Sequence, residues 1–183
     1  MPRETYAVDI AGVKRELPLF EVKPGLRIAI LNILGDTELI EASADALLEK
    51  LEDFDYELII TAESKSIPLA HALSVRTRCP YVVLRKSYKP YMGNAIRVET
   101  NSITTGAVQT LILDEKDLNA IKGKNVLIID DVISTGSTLE GMRNILSLAN
   151  SNIVAEAAIF TEGDEKNWKN IISLGNLPLF FDK

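Results

Sequence analysis

The chain has 183 residues, 46% hydrophobic and 25% charged, the proportions of one ordinary globular domain. Its formal charge of −6 argues against a nucleic-acid-binding face, which would be basic, and a lone Cys79 and lone His71 exclude an internal disulfide and a Cys/His zinc cluster. A single cysteine suits the cytoplasm, Arg3 and Glu4 replace the apolar core of a secretory signal, and no run approaches the roughly 18 apolar residues that cross a membrane.

Val8 and Ile10, then Val13, Arg15 and Leu17, alternate about Gly12, which predicts an amino-terminal hairpin ending at Pro18. Pro24–Gly25 marks a turn, and the mostly apolar stretch 26–34 predicts a strand. Ile40, Ala44, Leu47, Leu48 and Leu51 trace one face of a helix beginning at Thr37. Residues 57–61 read as a buried strand and 62–66 as a small polar loop. Pro68 then sits near the first turn of a helix with Leu69 and Ala72 or Leu73 on its core face. A buried strand follows at 81–84. The stretch 85–106 lacks a clear period and holds Pro90, Gly93 and Asn94, which predicts a long connection, either disordered or functional. Further on, 108–113 predicts a strand and 117–121 a short helical turn. Residues 153–160 read as a strand, 165–174 as a helix with Trp168, Ile171 and Ile172 inward, and 178–181 as an extended end. Alternating strands and helices from Thr37 onward give an α/β fold, a mainly parallel twisted sheet with helices on both faces.

The most informative stretch is 126–138. Val126, Leu127, Ile128 and Ile129 read as a buried strand. Asp130 and Asp131 follow at its carboxyl end, where open α/β sheets bind ligands. Ser134, Thr135, Gly136, Ser137 and Thr138 make a hydroxyl-rich loop, and Leu139, Met142, Ile145, Leu146 and Ala149 then recur at helical spacing. Ser137 and Glu140 have the spacing of a capping box. Backbone N–H groups and the helix dipole would hold a phosphate here, Ser134, Thr135 and Thr138 would add donors, and Gly136 allows close approach. Ionised aspartates offer only acceptors, which suits ribose hydroxyls. The pattern is a cradle for a phosphorylated sugar. A Walker B strand would need a G-x-x-x-x-G-K-[ST] partner, which the sequence lacks. A purely structural strand–turn–helix has no need of two acids and four hydroxyls around one glycine.

Stretch 126–138 resembles the phosphoribosyl-diphosphate signature of type I phosphoribosyltransferases. Two further motifs carry the same likeness. Glu63, Ser64, Lys65 and Ser66 resemble the diphosphate loop of adenine enzymes, while the run from Lys65 to Ala70 is closer to the orotate enzymes' Lys-Gly-Ile-Pro-Leu-Ala. Arg85, Lys86 and Lys89 have the Arg-Lys-x-x-Lys spacing of both branches, where such cations meet diphosphate, often from a neighbouring subunit. Phe20 with Pro24, Gly25 and Leu26 echoes the start of adenine enzymes, although Ile28, Ala29 and Ile30 replace their Phe-Arg-Asp. Where those enzymes carry a loop glutamate, this chain reads Ile103, Thr104, Thr105 and Gly106, and Glu99 is the nearest acid.

The likeness covers about residues 20–181, nearest to the adenine and xanthine branch. It implies a single domain over 1–183, with a small hood from about 1–34 and the carboxyl-terminal segment. The implied activity is transfer of phosphoribose from phosphoribosyl diphosphate to a purine, adenine first, by a cytoplasmic homodimer. Mg²⁺ would bridge ligand oxygens and water with no direct protein ligand. Asp130, Asp131, Lys65 and Glu99 are the implied catalytic residues. The loop 134–138 with Glu63, Ser64, Ser66, Arg85, Lys86 and Lys89 would bind phosphoribosyl diphosphate, and Leu26, Val132 and Ile133 the base. A cis peptide is implied at Glu63–Ser64. The alternative is a regulator that keeps the phosphoribosyl site without turnover. An acidic chain with only about 25 residues before the domain argues against it. His71, Cys79 and Trp168 read as structural.

Overall fold

The computed structural model of the chain describes residues 4–101 and 108–181. β1 (Thr5–Ile10) and β2 (Val13–Lys23) form the expected antiparallel hairpin. Its two-residue turn puts Ala11 at φ 51° and Gly12 at φ 84°, the left-handed pair that matches the twist of the flanking strands. Pro18 does not end β2. β3 (Leu26–Ala29) pairs back on β2, and the far end of the chain adds a fourth strand, so this small sheet is a hood built from both termini.

α1 (Thr37–Lys50) is capped by Asp36, whose Oδ1 accepts from Leu39 N at 3.2 Å, and it buries Leu39, Ile40, Ala44 and Leu47. Arg15 of the hood donates to both Asp36 oxygens, at 2.7 and 2.8 Å, and thereby ties the hood to this helix. β4 (Leu58–Ala62), α2 (Ile67–Thr77) and β5 (Tyr81–Leu84) follow, then β6 (Ile96–Asn101) and β7 (Val108–Leu113) as an antiparallel pair. α3 (Glu115–Ile121), β8 (Asn125–Ile133), α4 (Ser137–Leu148), β9 (Asn152–Glu162), β10 (Ile172–Leu177) and β11 (Phe180–Phe181) complete the order.

β10, β9, β8, β4 and β5 lie side by side in that order, every pair parallel. One face of this sheet packs on α1, α2 and the hood through Leu47, Leu69, Leu73, Leu127, Ile129 and Leu17. The other packs on α3, α4 and β7 through Ile128, Val126, Ile121, Met142, Ile145 and Leu111. Helices therefore cover both faces, as the alternation required.

Four further expectations change. The strand expected over 26–34 stops at Ala29, because Leu31 and Ile33 leave the hood to bury themselves in the core. The stretch 85–106 is not one irregular loop: Ile96, Val98 and Thr100 alternate with Arg97 and Glu99, and this period of two makes β6. Residues 165–174 are not a helix; a 3₁₀ turn at Glu165–Trp168 gives way to β10, which pairs with β9. The Ser137–Glu140 capping box is absent, since Gly136 at φ 78° is itself the cap and Ser137 lies inside the helix.

Gly175 of β10 stands opposite Phe160 of β9, and a methyl on Gly175 would lie 2.8 Å from Phe160 Cε1. Gly175→Ala is expected to lower stability by about 1–3 kcal/mol through overpacking, measured by urea denaturation. Adding Phe160→Leu should recover part of that loss; a neutral Gly175→Ala would contradict the packing described for this pair.

Candidate active site

β8 continues through the acidic pair to Ile133, so Asp130 and Asp131 lie within the strand rather than beyond it. Both are 8% exposed. Asp131 N donates to Asp130 Oδ1 at 2.9 Å, while Asp131 Oδ2 is buried with no hydrogen-bond partner. Burial first, and then the neighbouring charge of Asp131, push the Asp130 carboxyl well above the usual carboxylate range.

Lys65 faces Asp131. Its Nζ lies 4.0 Å from Asp131 Oδ2 and donates to the Leu31 carbonyl at 3.1 Å. Lys65 belongs to the turn 63–66 between β4 and α2, which contains a cis peptide at Glu63–Ser64. Ser66 anchors this turn from below: it is 1% exposed, accepts from Thr61 Oγ1 at 2.8 Å and donates to the Ala62 carbonyl at 3.2 Å. Its hydroxyl is thus held inside the fold, whereas Ser64 and Lys65 are exposed.

Glu63 joins this turn to the end of β5. It accepts from Arg85 Nε at 2.7 Å and from Lys86 N at 2.9 Å. Burial raises its carboxyl, but the Lys86 N–H and the Arg85 guanidinium outweigh that and hold it below the usual range. Lys86 and Lys89 are exposed, Lys89 just before a 3₁₀ turn at Pro90–Met92.

Loop 134–138 closes the other side. Asp130, Val132, Ile133, Ser134, Thr135, Gly136, Thr138 and Leu139 line one small concavity. Thr135 and Ser137 hydroxyls are 3.0 Å apart, and Thr138 Oγ1 donates to Gln109 Oε1 of β7 at 3.1 Å. The α4 amino end, whose first-turn N–H groups have no helical carbonyl before them, adjoins this concavity, which Gly136, Thr138 and Leu139 line. An anion is the natural complement.

The remaining sequence-selected residues are distributed more widely. Val132 is half-buried, Ile133 is buried in the α4-side core, and Leu26 is buried in the hood opposite Phe181. Glu99 is exposed on β6 opposite Thr110, on the hairpin face turned away from α4, since Thr100 on the other face lies against Gly141. Residues 103–106 lie outside the described residues. His71 is exposed with its ring 5.8 Å from that of Tyr81, and Cys79 is a half-buried free thiol.

Three participants escaped the sequence reading. The Leu31 carbonyl had no signal, because every residue has one. Gln109 was hidden by the tertiary pairing of β7 with α4. Trp168 packs partly on the core as expected, yet its ring also lies against Gly136.

The family model for the phosphoribosyl transferase domain matches residues 31–171. The xanthine phosphoribosyltransferase of Finegoldia magna is 31% identical over 147 residues, covering 77% of this chain and 74% of its own. The adenine phosphoribosyltransferase of Thermosipho africanus is 29% identical, covering 91% of this chain and 98% of its own. The purine biosynthesis transcriptional repressor of Bacillus subtilis is 29% identical over 82% of this chain, which spans only 50% of that protein's length. Among solved structures, adenine phosphoribosyltransferase from Thermoanaerobacter pseudethanolicus superimposes with a TM-score of 0.73 at 20% identity, over 87% of this chain and 95% of that one. With its signature loop, acidic pair and four of the five strands of the parallel sheet inside the matched span, the chain belongs to the phosphoribosyl transferase domain family.

Proposed function

We propose that this protein transfers a 5-phosphoribosyl group from phosphoribosyl diphosphate to a purine base in purine salvage, adenine first and a 6-oxopurine second. The carbon–oxygen bond to diphosphate breaks, a carbon–nitrogen bond to the base forms, and the base loses a proton. One observation carries this reading: the buried pair Asp130 and Asp131 shares an edge with Lys65 and the Gly136 loop. The Thermosipho adenine enzyme, matched over 98% of its length, supports adenine as the first base.

Each residue has a role that its chemistry supports. The 134–138 loop and the α4 amino end hold the 5-phosphate. Asp130 and Asp131 meet the ribose hydroxyls and orient the sugar, and Asp131, beside Lys65, favours positive charge as diphosphate leaves. Lys65, Ser64, Arg85, Lys86 and Lys89 receive the diphosphate, with Glu63 holding Arg85 in place and Ser66 supporting the turn. Val132, Ile133 and Leu26 contribute apolar surface toward the base. Glu99 is exposed on β6, on the face turned away from α4, so it would reach the base proton only after the β6–β7 pair moves toward the site.

Mg²⁺ fits the donor set, since hard cations prefer oxygen and Asp131 Oδ2 is a buried oxygen without a hydrogen-bond partner. Asp130 and Asp131 would hold the hydrated ion through its waters and the ribose oxygens, and it would supply charge neutralisation to the diphosphate. A cytoplasmic homodimer belongs to the same proposal; no described helix is long and apolar enough to cross a membrane. The second reading is a ligand-sensing regulator, favoured by likeness to the Bacillus repressor.

Radiolabelled phosphoribosyl diphosphate incubated with adenine, guanine, hypoxanthine and xanthine separates the two. Turnover supports the enzyme; tight binding of phosphoribosyl diphosphate with no transfer to any base supports the regulator. Asp131→Asn is expected to fold normally and to lose on the order of 10²-fold in turnover, because an amide cannot supply the same charge beside the ribosyl cation. Full activity in that variant would sink the role given to the pair. Glu99→Gln should slow transfer while leaving phosphoribosyl diphosphate affinity unchanged, and equal rates would remove Glu99 from the mechanism.

The acidic pair also predicts a pH dependence. Asp130 is raised in the folded state, so folding favours its protonated form. That contribution is complete below the ordinary aspartate value of about 3.9 and is lost as pH climbs toward the raised value. Asp130→Asn lacks this loss. Its melting temperature relative to wild type should therefore rise between acid and mildly alkaline pH, and a constant difference would refute the assignment.

A further inference from the structure

The chain's one tryptophan stands at the phosphate loop. Gly136 occupies the centre of that loop at φ 78°, and a Cβ built on it would meet Trp168 Cη2 at 3.1 Å and Cζ3 at 3.4 Å. The indole edge therefore lies directly against the Gly136 backbone. Its ring is fixed from behind, where Nε1 donates to the Glu162 carbonyl at 2.8 Å.

The support extends further back. Asp164 Oδ1 accepts from Lys166 N at 3.0 Å and so starts the 3₁₀ turn that carries Trp168. Asn176 of β10 donates from Nδ2 to the Gly163 carbonyl at 3.0 Å and accepts from Thr161 Oγ1 at 2.8 Å. A continuous path thus runs from β10 through the 163–168 turn to the loop. Gly136 needs such a wall. Glycine is the residue with most backbone freedom, and its neighbours' N–H groups converge on an anion only while it stays left-handed.

We propose that Trp168 is a positioning residue: packed on Gly136, it holds the phosphate loop in its anion-binding conformation and senses occupancy of that loop. The proposal rests on the phosphoribosyl reading of the site. Loss of the ring would leave the N–H groups present but not preorganised, so affinity for the phosphate end falls while the base end is untouched.

Ribose 5-phosphate is the probe. Titrated into the full chain, it should change the emission of Trp168, with the same midpoint that calorimetry gives. Trp168→Ala should weaken ribose 5-phosphate and raise the KM for phosphoribosyl diphosphate by about tenfold, with the KM for the base unchanged. Trp168→Phe keeps a ring against Gly136 and should stay within about threefold of wild type. Circular dichroism verifies that both variants are folded; should Trp168→Ala unfold, the comparison of Trp168→Phe with Trp168→Leu carries the same expectation. Calorimetric binding with no change in emission, or equal affinity in folded wild type and alanine variant, would overturn the role of Trp168 alone. Absence of any calorimetric binding to wild type would overturn the phosphoribosyl reading, and this proposal with it.

Discussion

Two adjacent carboxylates buried on the middle strand of a parallel sheet are the constraint around which the structure is arranged. Like charges in a poorly solvated site oppose each other's ionisation. The conflict is met by partners: Asp130 Oδ1 accepts from Asp131 N, and Asp131 stands beside the Lys65 cation. Asp131 meets Lys65 beside the Leu31 carbonyl, while Asp130 lines the concavity of the 134–138 loop. The strand that carries it is anchored by Val126, Leu127, Ile128 and Ile129, all fully buried. Apolar burial at one end of β8 offsets an unfavourable electrostatic arrangement at the other.

Strand order turns this pair into a site. β4 lies between β8 and β5, so the turn after β4 is flanked by the acidic pair on one side and by Arg85 on the other. Lys65 reaches one neighbour and Glu63 the other, from the same four-residue turn. In a parallel sheet all carboxyl ends share one edge, so three loops far apart in sequence converge without any long connection. The cations converge there too, which explains how an acidic chain provides a local site for anions.

What could be read from sequence follows the same physics. The strand, acids and small-residue loop of 126–138 were legible because local order determines their neighbourhood. The Glu63–Ser66 turn and the Arg85–Lys86 pair were legible as chemistry, but their union through the Glu63–Arg85 bond depends on β4 and β5 being neighbours. The Ser137–Glu140 spacing misled, since a left-handed glycine at the cap competes with a serine side chain for the same helix end. Residues 165–174 misled for another reason. Ile171, Ile172 and Leu174 suit either period over so short a run, and pairing with β9 decided the matter. β6 was present in the alternation of Ile96, Val98 and Thr100 but was masked by the glycine and proline just before it.

The phosphoribosyl half of the site and the base half differ in how much a sequence can say about them. Phosphate and ribose are recognised by charged and hydroxyl side chains, whose identities are written in the chain. The hood is different. Phe20, Ile28, Leu26 and Phe181 share one of its faces, with Phe20 and Phe181 exposed, and Phe180 turns the other way onto Tyr6. Such a face can pack on any flat aromatic ring. Discrimination between an amino and an oxo group would then fall to hydrogen bonds, and backbone N–H and carbonyl groups, the same at nearly every residue, leave no sequence signature. Where those groups stand depends on how the hood is set against the core, which the Arg15–Asp36 pair ties to α1. Nothing comparable to the 126–138 signature therefore marks the base half, and relatives named for adenine and for xanthine both resemble this chain.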